Sequence, residues 1–175
     1  MQIADSAQVT TAAAAGKTGT WLIDPVDFTV AASGGDISNT TLSANLQNGN
    51  VMLRTNIGAQ PTFEFGNMFI NDTVTWAANN LLLLAGNNIY INANLNGSGT
   101  ASLFLAYGLD YRGGPSDGVG GKYGRSSGAQ VILPAGNFSI ISRPCKIPFG
   151  PARGTPHAGG RRRSSGMTAR PRCRG

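Results

Sequence analysis

The chain has 175 residues, of which 41% are hydrophobic, 13% charged and 7% aromatic, with 25 glycines and a formal net charge of +6. The charged share is about half, and the glycine share about twice, the norm of a globular protein, which excludes coiled coils and helical bundles and favours a β chain with many turns. Apolar runs reach only about five residues, as at Leu81–Ala85, far short of a transmembrane helix, so no transmembrane segment is expected. The start, MQIADSAQV, has neither the basic nor the apolar region of a signal peptide.

The charge is unevenly spread. Residues 1–142 carry five basic and eight acidic groups, whereas 143–175 carry nine basic groups and no acid. A nucleic-acid reading would rest on that tail alone. Both cysteines, Cys145 and Cys173, also lie there, so the body needs no disulfide framework.

In chain order, residues 1–18 are small and polar and read as a linker or frayed start. Residues 19–36 (GTWLIDPVDFTVAASGGD) form a short β segment broken by Pro25 and closed by a Gly-Gly turn. From 36 to 107 come runs of four to six residues with period-two alternation: NVMLR, NMFIN, TVTW, LLLLAG, IYINA and SLFLA. No helix cap is read among them, and TNIGAQPTFEF (55–65) is read as an inserted loop. Residues 108–128 form a Gly-rich loop, and AQVILPAGNFSI (129–140) supplies a last strand. The Arg/Pro/Gly-rich 143–175 has too few apolar groups to order itself, and is expected to be disordered.

Self-comparison gives the strongest signal. Laying 67–85 on 88–106 matches Asn67/Asn88, Ile70/Ile91, Asn71/Asn92, Leu82/Leu103, Leu84/Leu105 and Ala85/Ala106. A period of 21 with three short strands predicts an all-β chain, a right-handed parallel β-helix of about three coils across 36–107, against the rival of an antiparallel sandwich. Ile70, Val74, Leu82 and Leu84 are expected to stack inside on their partners one coil on. The same alternation sends Phe69, Leu83, Tyr90 and Phe104 outward as a contact stripe for protein or glycan, unless the 55–65 loop or the 129–140 strand covers it. No polar cap is read at either end of the stack.

Residues for chemistry are sparse. His157 stands alone in the tail, so a His-based triad or multi-histidine metal site is not available, and Cys145 and Cys173 have no partners for zinc. The acids are scattered, with Asp24 and Asp27 flanking Pro25 to fix a turn and Asp72 at a corner, and they form no catalytic pair. Gly113-Gly114 and Gly120-Gly121 lack the Lys-Ser/Thr of a phosphate loop. Arg161–Arg163 has no interleaved aromatics and reads as solvated tail. We expect no enzyme activity, no cofactor, no metal and no nucleic-acid partner.

The stretches GTWLIDPVDFTVAASGGDIS, TLSANLQNGNVML and NMFINDTVTWAANNLLLLAGNNIYINANL, with AQVILPAGNFS after them, resemble the filamentous-haemagglutinin-like exoproteins of bacterial two-partner secretion. The likeness covers roughly 19–142, and WLIDPVD (21–27) with N-D-x-V-x-W (71–76) carries most of it. It implies a β-helical adhesin, secreted or at the cell outer membrane, exported through an outer-membrane secretion pore and binding a host-cell protein or glycan. Such proteins have a secretion domain and many more repeats, so the chain reads as an internal fragment whose tail, 143–175, has the composition of a shifted reading frame. Two other readings are a β-helical carbohydrate-active enzyme or carbohydrate-binding module, and a truncated product with no independent function.

Overall fold

A computed structural model describes residues 1–55, 66–109 and 123–142. The loop at 55–65, most of the Gly-rich segment and the tail therefore lie largely or wholly outside the described residues.

The described chain is mostly β-strand, in three parallel sheets, with one short helix. Strand β1 (Thr20–Ile23) starts the five-stranded sheet, and the chain then makes four similar passes. The first runs through β2 (Phe28–Val30), helix α1 (Asn39–Asn48) and β3 (Asn50–Thr55). The second and third run through β4 (Met68–Ile70), β5 (Val74–Trp76), β6 (Asn80–Ala85), then β7 (Ile89–Ile91), β8 (Leu95–Gly97), β9 (Ser102–Tyr107). The fourth comprises β10 (Tyr123–Arg125), β11 (Val131–Ile132) and β12 (Phe138–Ser142). Each pass adds one strand to a four-stranded sheet (β10-β7-β4-β2), then one to a three-stranded sheet (β11-β8-β5), then one to the five-stranded sheet (β1-β3-β6-β9-β12), with α1 replacing the middle strand in the first pass. All pairs are parallel, so the antiparallel sandwich is excluded for these strands.

The 21-residue period holds in two sheets. Met68, Phe69 and Ile70 pair with Ile89, Tyr90 and Ile91, and Val74 pairs with Leu95. It fails by one residue in the third, where Leu81 pairs with Leu103, Leu82 with Phe104 and Leu83 with Leu105. The cause is the preceding connection, residues 77–79 in one pass and 98–101 in the next. The additional residue is absorbed in a turn where Gly99 takes φ +54°. A slip of one residue reverses every side chain. Leu82 and Leu84, expected inside, therefore face out and are half-buried, while Leu81 and Leu83 are fully buried.

The core is built of columns one strand spacing, about 4.8 Å, apart. One column is Ile23, Leu53, Leu83 and Leu105, none more than 2% exposed. Burying each such side chain contributes about 1.5–3 kcal/mol. Trp76 is wholly buried in register with Gly97, and the space a side chain at Gly97 would occupy is taken by Leu133, Ala101 and the indole ring.

Helix α1 was not anticipated from the sequence. Ser38, with extended backbone, caps it by accepting a 3.2 Å hydrogen bond from Thr41 N, and Leu42 and Leu46, one helical turn apart, enter the core. Its buried Thr41 and Asn45 hold the N-terminal segment at residues 5–9. Thr41 Oγ1 donates to Asp5 O (2.8 Å), Asn45 Nδ2 donates to Ala7 O (2.9 Å), and Asn45 Oδ1 accepts from Val9 N (2.6 Å). Gly49 lets Thr11 approach so closely that a Cβ there would overlap its hydroxyl.

The two ends consequently differ, against the expectation that both are open. At the first pass Phe28 and Val30 of β2 and Leu46 of α1 are 0% exposed. At the last pass Phe138 and Ile140 continue the inward columns over Leu103 and Leu105 yet are 43% and 42% exposed. Among the described residues, no helix is long and apolar enough to cross a membrane.

Candidate contact surface

Alternation in Met68–Ile70 and Ile89–Ile91 buries the outer members of each triplet and turns Phe69 and Tyr90 outward. Their rings stack, with centroids 5.1 Å apart and planes 9° from parallel. The next member of this line is Gly124, so the stack ends at Tyr90. Asparagines flank it. Asn92 Nδ2 donates to Asn71 Oδ1 (2.7 Å) and Ser126 Oγ donates to Asn92 Oδ1 (2.7 Å), while Asn87 and Asn88 both donate to Asn67 Oδ1. Corner amides thus link the passes as a ladder.

On the five-stranded sheet the outward line is Leu22, Met52, Leu82, Phe104 and Ser139. Phe104 faces outward as expected. Leu83 does not: it is 0% exposed between Leu53 and Leu105, and Leu82 stands beside Phe104 in its place. The expected four-residue stripe is therefore two separate lines on two sheets, Phe69 with Tyr90 and Leu82 with Phe104. No feature of the LLLL run separates its inward from its outward leucines, so Leu82 was not recoverable from the sequence.

Where the second line drops from Phe104 to Ser139 an open groove of about 300 Å³ forms, lined by Asn80, Leu82, Ser102, Leu103, Phe104, Gly136, Asn137 and Ser139. Its polar wall is ordered. Asn80 Nδ2 donates to Asn50 Oδ1 (2.9 Å), Ser102 Oγ donates to Asn80 Oδ1, and Asn137 Nδ2 donates to Ala101 O (2.9 Å). The described residues lining it bear no charge.

Four described carboxylates support structure elsewhere. Asp24 forms an ion pair with Arg54, and this hydrogen bond raises the guanidinium's pKa above its ordinary value. Asp27 Oδ1 accepts from Asn67 N (2.5 Å), Asp36 Oδ2 from Thr29 N (2.9 Å), and Asp72 Oδ1 from Thr73 N (2.6 Å). Asp24 and Asp27 thus tie successive passes together rather than fixing only the turn at Pro25. Among the described residues, no three of His, Cys, Asp or Glu gather where they could hold a metal ion. The arrangement of the described residues is suited to contact.

No protein-family model, curated protein or solved structure matches the chain.

Proposed function

We propose that residues 19–142 form a right-handed parallel β-helix belonging to a bacterial secreted or surface adhesin of the haemagglutinin type, acting by binding and not by catalysis. The observation that carries this reading is the repeated pass through the same three parallel sheets, with outward apolar lines in register from pass to pass. A parallel stack of this kind presents a long, rigid, repetitive face, and extended faces of this kind serve recognition. The haemagglutinin-like motifs at 21–27 and 71–76 supply the biological setting: export through an outer-membrane pore, then contact with a host-cell protein or glycan.

The test is adhesion. Beads coated with the full chain are applied to cultured epithelial cells, with a folded, similarly charged control protein beside them. Retention above the control, reduced by combined Phe69→Ala, Tyr90→Ala and Phe104→Ala, is the expected result. Retention equal to the control, from protein that melts cooperatively, would overturn the adhesin reading.

A further inference from the structure

The geometry points to the groove beside Phe104 as a binding subsite for a neutral carbohydrate chain. This deepens the binding reading above and rests on it. Three features select that ligand. First, part of the lining is apolar, formed by Leu82, Leu103 and Phe104, and aromatic rings pack well against the C–H faces of sugars. Second, the lining offers side-chain amides and hydroxyls, from Asn80, Ser102, Asn137 and Ser139. Asn137 is held by its Nδ2 on Ala101 O, and among the described residues neither its Oδ1 nor the Ser139 hydroxyl has a hydrogen-bond partner. These groups can donate to or accept from ligand hydroxyls. Third, the described lining is uncharged, so a sulfated or uronic-acid chain finds no cation there.

The backbone argues against a peptide. Beneath the groove β9 pairs with β6 on one side and β12 on the other, so an extended peptide lying on this face meets a ladder only beyond the groove, at the outer edge of β12. The volume is at the lower end for ligand sites, about 300 Å³ and upward, and the groove is open. It therefore fits one or two sugar rings of a chain that continues past it. Ser139 and Gly136 make the site by being small: bulkier neighbours would complete the outward line and close the space.

The full chain is titrated by calorimetry with cellohexaose, mannohexaose and chitohexaose, with a chondroitin sulfate hexasaccharide as the acidic probe. At least one neutral probe is expected to bind saturably, and Phe104→Ala to weaken it about tenfold, the equivalent of roughly 1.4 kcal/mol. Ser139→Trp fills the groove from outside the core and is expected to abolish binding while leaving the melting temperature unchanged. Saturation by no neutral probe, by the acidic probe only, or undiminished binding in a folded Ser139→Trp protein overturns the proposal. Beads that adhere without any neutral probe binding would overturn the groove alone. Neutral-probe binding lost in Ser139→Trp, with beads that do not adhere, would support the groove and overturn the adhesin reading.

Discussion

Leu83 lies in register with Leu105, 22 residues on, whereas Ile70 lies in register with Ile91, 21 residues on. One additional residue in the turn before β9 separates the two spacings, and it decides which leucines of the run 81–84 form the core.

That register makes Leu82 and Leu83 energetically unlike. Leu83→Ala removes a fully buried side chain and should cost about 2–5 kcal/mol, while Leu82→Ala, on the outer face, should cost less than about 1 kcal/mol. Leu83→Asp should abolish folding, because a charge would enter the column without a partner. Chemical denaturation of the variants checks the order, and a Leu82 variant as damaging as Leu83 would contradict it.

Gly99 is the second sensitive point. Its φ of +54° is left-handed, and a Cβ there would lie 2.6 Å from the backbone oxygen of Ala77. The oxygen belongs to the previous pass and cannot swing aside. Gly99→Ala should therefore destabilise by about 1–3 kcal/mol, measurable as a lowered melting temperature.

The N-terminal segment depends on Asn45, whose side chain bonds the backbone on both sides of Gln8. Asn45→Leu should release residues 3–11, seen as faster amide exchange there, and cost about 1–3 kcal/mol through the unpaired backbone groups. Unchanged exchange at Val9 would contradict this docking.

The sequence made some of this legible and hid the rest for identifiable reasons. In Met-Phe-Ile and Ile-Tyr-Ile the aromatic residue alternates with aliphatic neighbours, and the flanking asparagines mark the corners, so both the period and the outward position of Phe69 and Tyr90 could be read. In Leu-Leu-Leu-Leu alternation has no phase. Identical residues match best at 21, a register that turns Leu83 outward, whereas the 22-residue register of the strands buries it. Helix α1 has only Leu42 and Leu46 as an apolar stripe, and its other buried positions are Thr41 and Asn45, which sequence patterning scores as surface. Their burial is explained by the N-terminal backbone they bond. The groove is not legible in the sequence because it arises from what is small, Gly136 and Ser139.

The unequal ends carry a further expectation. Phe138 and Ile140 leave apolar surface beside the unpaired edge of β12, and such edges recruit other strands. The full chain should self-associate through β12, and Ile140→Asp should lower the mass measured by light scattering. Association unaffected by Ile140→Asp and by Phe138→Asp would contradict it.

The parallel register is tested most directly by methyl–methyl nuclear Overhauser spectroscopy on chain labelled at isoleucine and leucine. Cross-peaks are predicted between Ile70 and Ile91, between Leu53 and Leu83, and between Leu83 and Leu105, which join successive passes at spacings of 21, 30 and 22 residues. Cross-peaks joining Leu82 to Leu103 and Leu84 to Leu105 in their place would contradict the register, and a set in which spacing shrinks steadily towards a hairpin turn would contradict the stacked parallel passes on which the contact surface depends.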